Sequence, residues 1–318
     1  MFVNTYVPEG MRYKTKENKA ALSCPEALER AAEQKQILEA PVLLCDNRLR
    51  LHVDLGCMVG IIRREDAIYC RPGEAVKDIA VITRVGKPVC FHVIGFGEEN
   101  GRRVAYLSRK TAQEECAERH LFCLRPGDVL PAKVTHLENY GAFVDVGCGI
   151  ASLLSIDCIS VSRITHPRER LACGMQISVV IKSIDPLSKR IFVTMKELLG
   201  SWEENATRFE AGQTVMGRVR SIESYGIFVE LAPNLAGLAE LRGSIGTPIR
   251  TAVGDLAAVY IKSILPERMK IKLVIIDSHA EPEFPEPPQY FLDPQKTPHI
   301  DRWTYSPSES LRLIETVF

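Results

Sequence analysis

The chain has 318 residues and a mass of 35.5 kDa, which predicts two to three domains with small cores. Hydrophobic residues make up 46% and charged residues 25%, as is typical of a folded protein, and the 40 basic residues balance the 40 acidic ones. This balance excludes a polybasic protein that binds nucleic acid mainly through charge, but it leaves binding by stacking open.

The N-terminus lacks the pattern of a signal peptide, and no apolar run approaches the roughly 18–20 residues of a membrane helix. We therefore expect a cytoplasmic chain. Residues 1–36 are interpreted as an extension ahead of the first domain. Within it, Ser23 and Glu26 fit a capping box, which predicts a helix over roughly 25–37.

Residues 37–116 carry a weaker copy of a pattern that recurs twice further along. The stretch LRLHVDLGCMVGIIRRED (49–66) resembles YGAFVDVGCGIASLLSID (140–157), with Asp54 at the position of Asp145 and Gly56 at that of Gly147. Segment 86–110 fits the last two strands of the same pattern. We therefore predict a degenerate domain over 37–116.

Two clear copies of the pattern follow, in the predicted domains 117–199 and 200–278. The stretch GDVLPAKVTHLENYGAFVDVG (127–147) aligns with GQTVMGRVRSIESYGIFVELA (212–232) at a constant offset of 85 residues. Downstream, VVIKSIDPLSKRIFVTMK (179–196) aligns without gaps with VYIKSILPERMKIKLVII (259–276). Two gap-free blocks in the same order indicate a tandem repeat.

Alternating Val, Ile and aromatic residues predict short strands within each copy. In the first clear copy we place them near 128–137, 141–146, 150–154, 177–184 and 190–195, with a loop and a short helix over 160–174. Five short strands in about 70 residues favour a small closed barrel of the OB type, and an SH3-like barrel fits the periodicity equally well. The fold prediction is a mainly β protein of three tandem five-stranded OB-fold barrels joined by short helical linkers.

The linker and the tail differ in composition from the barrels. Residues 196–209 are predicted to form a short helical linker that packs onto a barrel through Leu198, Leu199, Trp202 and Phe209. Residues 279–318 are predicted to form a Pro-rich tail, which is either an extended strap or disordered over 281–298.

The last residues of the tail show helical spacing. Leu311, Ile314 and Phe318 would share one face of a C-terminal helix. So short a helix is marginal alone, so we expect it to dock on its own chain or, as the alternative, on a partner protein.

The run YGAFVDVG (140–147) and the later IKSIDPLSKRIFVTMK resemble the RNA-binding repeat of bacterial ribosomal protein S1, known as the S1 domain. The resemblance covers 125–198 and 209–277 closely. It implies an OB fold and RNA binding, and it fits a short form of the ribosomal protein that holds mRNA near the small ribosomal subunit.

A protein that binds single-stranded RNA needs exposed rings for the bases and cations for the phosphates. Two ring pairs match the stacking aromatics of the family: Tyr140 with Phe143, and Tyr225 with Phe228. Packing of these rings in the core is the alternative that the residues alone leave open.

Rings three residues apart would lie on opposite faces of a regular strand. We predict that a bulge at Gly141 or Gly226 resets this alternation and turns both rings outward. Phe143 and Asp145 would then face out, while Ala142 and Val144 face the core.

Charged residues at matching positions complete the predicted RNA face: Lys133, Lys182, Asp185 and Arg190 in the first clear copy, and Arg218, Lys262 and Lys270 in the second. The family has a His where these copies have Ser155 and Glu240, and Leu265 replaces Asp185 in the second copy. These departures predict a weaker or altered site.

The degenerate copy departs further, because Leu49 and His52 stand where the rings should be and Arg50 replaces the Gly. Stacking is not expected there. By analogy with the leading repeats of ribosomal protein S1, residues 37–116 are a candidate surface for docking a protein or the ribosome.

We expect neither a cofactor nor a metal. None of the ten Cys forms a C-x-x-C pair and the seven His are scattered, so the thiols are interpreted as reduced and mostly buried. Asp145, Asp157 and Asp185 show no spacing typical of a metal-dependent nuclease, and no catalytic activity is expected.

The sequence therefore favours a non-enzymatic protein that binds single-stranded mRNA in translation on the small ribosomal subunit. The alternative is an interaction scaffold of the translation or transcription machinery, whose barrels and C-terminal tail bind proteins while RNA binding is incidental.

Overall fold

The computed structural model describes residues 6–70, 75–241 and 251–318. These residues form three closed five-stranded barrels, which confirms the predicted fold class. We call them barrels one, two and three in chain order. None of the described helices is both long and apolar enough to cross a membrane.

The barrel strands follow one another in the order predicted, whereas a helix near the N-terminus, a helix inside barrel one and two strands in the tail differ from the prediction. The N-terminal helices and barrel one comprise α1 (Lys16–Ala21), α2 (Pro25–Glu33), β1 (Leu38–Cys45), β2 (Leu51–Asp54), β3 (Val59–Ile62), α3 (Asp78–Ile82), β4 (Pro88–Glu99) and β5 (Arg102–Ser108). The first linker and barrel two comprise α4 (Arg109–Arg119), β6 (Val129–Glu138), β7 (Gly141–Asp145), β8 (Ala151–Ser155), β9 (Gln176–Ile184) and β10 (Ile191–Thr194). The second linker, barrel three and the tail comprise α5 (Trp202–Ala206), β11 (Thr214–Glu223), β12 (Gly226–Ala232), β13 (Leu235–Ala239), β14 (Leu256–Leu265), β15 (Lys270–His279), β16 (Arg302–Thr304) and β17 (Glu315–Val317).

All three barrels share one topology. The first three strands form an antiparallel meander, the fourth pairs with the first, and the fifth lies between the third and the fourth. The pair of third and fifth strands is parallel in each barrel. Strand alternation explains the cores, since Ala142 and Val144 of β7 point inward and are fully buried.

The N-terminal helix is shorter than predicted and begins differently. Helix α2 ends at Glu33, and its N-cap residue is Cys24, which makes no side-chain capping bond. The Ser23 hydroxyl donates instead to the carbonyl of Ala20 at the end of α1. The predicted capping box is therefore wrong, because Ser23 belongs to the turn after a preceding helix.

Helix α4 joins barrels one and two and runs through the predicted domain boundary at 116/117. Its first residue, Arg109, is 2% exposed and makes a bidentate ion pair with Glu9, with N–O distances of 2.6 and 2.9 Å. The Glu9 amide donates to the Asp145 carboxylate at 2.7 Å, and the Cys90 amide donates to Glu9 at 3.1 Å. Residues 6–13, which we call the N-terminal strap, thus bind both barrels at once.

The pKa values of the two acidic groups at this junction are shifted in opposite directions. Burial alone would raise the pKa of Glu9, but the charge and hydrogen bonds of Arg109 lower it. Burial, followed by the nearby Glu9 carboxylate, raises the pKa of Asp145 to about 7. The expectation that Asp145 faces solvent is wrong, because the strap and the loop after β7 cover it.

The second linker is helical and packed as predicted. A capping box between Ser201 and Glu204 starts α5, and a 3₁₀ turn over Lys196–Leu199 precedes it. Leu198, Leu199 and Trp202 are buried, which confirms their predicted packing.

The tail is an extended strap that returns to the earlier barrels. The amide of Ile300 donates to the carbonyl of Gly127, and the amide of Val129 donates to Pro298, so the tail adds backbone bonds to barrel two. Arg220 of β11 joins the tail to both later barrels, because it pairs with Glu230 of β12, Glu169 of barrel two and Glu283 of the tail.

The predicted C-terminal helix is wrong. Residues 315–317 pair with 302–304 as a two-stranded sheet, and Leu311 is 99% exposed. The helical spacing of the apolar residues is outweighed by contacts made elsewhere, since Ile314 and Phe318 pack against the cluster shared by barrel three and the tail.

The buried Glu39 side chain generates a pH prediction. Its carboxylate accepts amide bonds from Gly10, Arg12 and Tyr13 of the strap, yet burial and then Glu9 raise its pKa to about 7. A carboxyl whose pKa is raised by folding stabilises the fold below its unfolded pKa of about 4.3 and loses that contribution as the pH rises towards 7.

We therefore expect the free energy of unfolding of wild type, relative to Glu39→Gln, to fall by about 3 kcal/mol between about pH 4.5 and 7. Denaturant titrations across that range measure it, with the exposed Glu33→Gln as the matched control. Parallel pH profiles for wild type and Glu39→Gln would contradict the prediction.

Candidate nucleic-acid interface

Two ring pairs, each an exposed Tyr and a partly buried Phe, occupy the same place on barrels two and three. The ring centroids of Tyr140 and Phe143 lie 6.3 Å apart at 89°, and those of Tyr225 and Phe228 lie 6.1 Å apart at 90°. Tyr140 is 55% exposed and Tyr225 is 66% exposed. We call the surface around each pair the aromatic face of that barrel.

The ring pairs face outward for a reason different from the predicted bulge. Gly141 pairs in regular register with both neighbouring strands, so the prediction of a bulge there is wrong. Tyr140 instead lies in the turn before β7, where strand alternation does not apply. Gly141 is required because a Cβ atom would lie 2.5 Å from the carbonyl oxygen of Leu154 on β8.

The bulge of this region lies on the preceding strand. The register between β6 and β7 shifts at Thr135, which is the extra residue, and the Thr135 hydroxyl donates to the carbonyl of Phe143 at 3.0 Å. In barrel three the extra residue is Arg220, which is used in the ion cluster with the tail.

The aromatic face of barrel two extends across four strands. A row of residues in register begins at His136 on β6, passes through Phe143 and Leu153, and reaches Phe192 on β10. The ring of His136 stacks on that of Phe143 with centroids 6.5 Å apart and an interplanar angle of 28°. His136 and Phe192 are not among the predicted site residues. Phe192 could have been predicted to face outward, because it lies between the buried Ile191 and Val193 on the last strand of the barrel.

The corresponding row in barrel three has fewer rings. Ser221 stands at the position of His136, and the exposed Lys272 stands at that of Phe192. Phe228 and Leu238 keep the centre of the row. Glu240, at the position of Ser155, is exposed and adds a negative charge at the end of β13.

Two of the predicted lysines occupy equivalent bulges. The register shift between β9 and β10 leaves Lys182 as the extra residue, and the shift between β14 and β15 leaves Lys262. Both side chains are exposed, and a hydrogen bond to the Cys158 thiol raises the pKa of Lys182. Barrel one has Ile94 at this position.

Lys133 and Arg218 are held by main-chain carbonyls rather than directed at open solvent. The Lys133 ammonium donates to the carbonyl of Glu9 at 2.9 Å. The Arg218 guanidinium donates to the carbonyls of Gly254 at 2.9 Å and Glu281 at 2.6 Å. Both contribute positive charge beside the aromatic faces while they tie the strap and the tail to the barrels.

Asp185 holds the turn between β9 and β10. Its carboxylate accepts bonds from the hydroxyl of Ser188 and the amide of Leu187, and these bonds lower its pKa. Arg190 follows the same turn and is exposed, as Lys270 is after the corresponding turn of barrel three. Arg190 and Lys270 lie at the ends of the closing strands.

Barrel one presents a different surface. His52 lies 3.3 Å from the carboxylate of Asp46, and Arg50 forms ion pairs with Asp46 and Glu99. The ring of Tyr106 is covered by the guanidinium of Arg63, 5.1 Å from its centroid. His52, Arg50 and Arg63 thus have partners within the barrel.

Among the described residues, no group of three or more His, Cys, Asp or Glu is arranged to hold a metal ion. Cys90, Cys116 and Cys148 are buried at the first junction, and all ten thiols are free.

Comparison with known proteins assigns the repeat to a family. Residues 124–196, which span barrel two, match the S1 RNA binding domain. Barrel two belongs to the S1 RNA binding domain family. The S1 match agrees with the strand order of barrel two, which barrels one and three repeat.

Three curated relatives are similar to this chain, and each is named small ribosomal subunit protein bS1. The relative from Staphylococcus saprophyticus is 33% identical over 179 residues, 53% of this chain and 45% of the relative. The relative from Rhodopseudomonas palustris is 34% identical over 58% of this chain and 32% of the relative, and that from Rhizobium meliloti is 32% identical over 70% and 39%. The chain thus spans less than half the length of these relatives.

The close approach at Gly141 generates a stability prediction. We expect Gly141→Ala to lower the free energy of unfolding by about 1–3 kcal/mol, because the new Cβ atom collides with the backbone of β8. Gly95→Ala is the matched control, since open space surrounds that strand position, and it should change stability by no more than about 0.5 kcal/mol. Chemical denaturation measures both; equal stabilities for the two variants would contradict the prediction.

Proposed function

We propose that the chain is a non-enzymatic protein that binds single-stranded RNA on the aromatic faces of barrels two and three. The observation that carries this proposal is the repeated ring pair: an exposed Tyr and a partly buried Phe lie 6.3 and 6.1 Å apart, nearly perpendicular, on two barrels. A large exposed ring is unfavourable in water unless a ligand covers it.

Stacking is the interaction that these faces offer. Perpendicular rings present two differently oriented surfaces, so a base can lie flat against one ring while its edge meets the other. Base–aromatic stacking contributes about 1–3 kcal/mol per base and tolerates any sequence. We therefore propose Tyr140, Phe143, Tyr225 and Phe228 as the stacking residues.

Cations around the rings would hold the phosphates. Lys182 and Lys262 project from equivalent bulges, and Arg190 and Lys270 lie at the ends of the closing strands. Lys133 and Arg218 add positive charge from the side of the junctions. Each phosphate neutralised on a single strand contributes a slope of about −0.7 to the dependence of binding on salt.

The two faces differ in the balance of stacking and charge. Barrel two has His136 and Phe192 at the ends of its row, whereas barrel three has Ser221 and Lys272. We infer that barrel two provides most of the stacking and that barrel three adds a weaker, more electrostatic contact. Asp185 would act by fixing the turn from which Arg190 extends.

Removing the central ring of each row tests the proposal. We expect Phe143→Ala to weaken binding of labelled oligo(U) by roughly 5- to 150-fold, with a smaller loss for Phe228→Ala and the largest loss for the double variant. Fluorescence anisotropy titrations measure the dissociation constants.

Phe284→Ala is the matched control, because this ring is 79% exposed on the tail and lies outside both rows. The salt dependence should stay the same in the ring variants, since stacking neutralises no phosphate. Wild-type affinity in the double variant would refute the stacking proposal.

We further propose that the protein acts in translation on the small ribosomal subunit in the cytoplasm. Support comes from the relatives, which are named as small-subunit proteins and which align with up to 70% of the chain. Barrel one, which has no ring pair at the equivalent positions, is the candidate for docking on the subunit.

The tagged protein should therefore co-sediment with small subunits in a sucrose gradient. Binding through barrel one predicts that the Phe143→Ala, Phe228→Ala double variant still co-sediments, because the docking contact does not use the rings. Tagged protein that stays at the top of the gradient would contradict the ribosomal role without affecting RNA binding.

A further inference from the structure

The first and fourth strands of each barrel present an outer face, which we call the docking face. Its members are equivalent because they occupy the same register relative to the bulge on the fourth strand. They are Glu39, Cys90 and His92 in barrel one, Pro131, Ser178 and Val180 in barrel two, and Met216, Ala258 and Tyr260 in barrel three.

The docking face of barrel one is covered by barrel two. Cys90 is 1% exposed, and its thiol contacts the carbonyl of Cys148 in the β7–β8 loop at 3.3 Å. The His92 ring lies 3.1 Å from the carboxylate of Glu115 on α4. The covering elements are thus the linker helix and the loop between the second and third strands of the following barrel.

The docking face of barrel two is covered by the equivalent elements. Val180 is fully buried in a cluster with Trp202 of the linker helix α5 and with Ala232 and Leu235 at the ends of the β12–β13 loop. The amide of Ser178 donates to the tail at the hydroxyl of Tyr290. The same mode of docking is therefore used twice in succession.

The docking face of barrel three is open. Met216 is 49% exposed and Tyr260 39%, and the neighbouring Ile276 of β15 is 60% exposed. In barrels one and two a linker helix follows the fifth strand. In barrel three the fifth strand, β15, extends to His279 and no helix follows it among the described residues. The tail then turns back over barrels two and three, so within the described residues nothing covers these three side chains.

Barrel one has the complementary elements at its free end. Helices α1 and α2 precede barrel one in the chain as α4 precedes barrel two, and the β2–β3 loop corresponds to the β7–β8 loop in the shared topology. They enclose a cavity of about 380 Å³, and its lining includes Tyr13, Lys14, Lys19, Leu22, Leu55 and Gly56. We call this the receiving surface.

Charge also matches between the two surfaces. Lys14 and Lys19 are exposed on the receiving surface, and Asp277, the β-sheet partner of Ala258, is exposed beside the docking face. Opposite charges beside an apolar contact favour one orientation of approach.

We propose that the docking face of barrel three binds the receiving surface of barrel one in a second copy of this chain. The contact continues between molecules the mode of docking that joins the barrels within one molecule. Because the two surfaces differ, the association is head-to-tail and forms open chains, or rings if the rotation closes.

Sedimentation velocity on full-length, nuclease-treated protein over about a hundredfold range of concentration tests the proposal. Wild type should show a rising sedimentation coefficient. The double variant Met216→Glu, Tyr260→Glu should weaken self-association by about 100-fold, because two carboxylates would be buried without partners. The receiving-surface variant Tyr13→Glu, Leu22→Glu should have the same effect.

A mixture of the two variants is the decisive measurement. Each variant keeps one intact surface, so together they should form a one-to-one complex and nothing larger. The double variant Leu187→Glu, Leu311→Glu is the matched control, since these residues are 86% and 99% exposed outside both surfaces, and it should associate like wild type.

Circular dichroism and thermal unfolding of each variant establish that it is folded. A wild-type chain that stays monomeric at every concentration overturns the proposal and assigns the face to a different protein. A mixture of folded variants that forms no complex overturns it as well. RNA binding is measured separately, so neither outcome depends on the proposed function.

Discussion

Each barrel is small, so packing between barrels adds buried surface to what its own interior supplies, and this packing governs how the molecule is assembled. The outer face of the first and fourth strands is buried wherever a following barrel is present, as Cys90 and Val180 show. Charged residues reinforce both junctions: Glu9 and Arg109 at the first, and Arg220 with Glu230 at the second. Asp145 and Glu230 occupy equivalent positions at the two junctions, so one repeat position serves the same structural purpose twice.

This packing decides which surfaces stay available for a ligand. The ring pairs lie at the start of the second strand, outside the buried docking faces of the first and fourth strands, so docking leaves Tyr140 and Tyr225 exposed. Cations shared between the two surfaces, such as Lys133 and Arg218, are drawn into the junctions and bind carbonyl oxygens. The exposed surfaces of the barrels thus differ in composition. Barrel one has charged side chains that are paired with one another, whereas barrel two has a row of aromatic side chains.

The sequence predicts the barrels well because strand order and alternation repeat at a fixed offset, and the ring pairs because they recur with it. The sequence does not predict contacts between residues that are far apart in the chain. No local pattern links Lys133 to Glu9, which lies 124 residues away. The row from His136 to Phe192 crosses strands that are far apart in the chain, and the C-terminal spacing of Leu311 and Phe318 is overridden by pairing with residues 302–304.

The strap and the tail also determine the order in which the two junctions can form during synthesis. Glu9 is synthesised about a hundred residues before Arg109, which is its ion-pair partner in the first junction. The Glu9 carboxylate therefore lacks this partner until the first junction forms. The second junction lacks Ile300 and Trp303 until the tail is made, although the last strand of barrel two ends at Thr194. Barrel two can therefore complete its strands before the tail residues that pack at the second junction leave the exit tunnel.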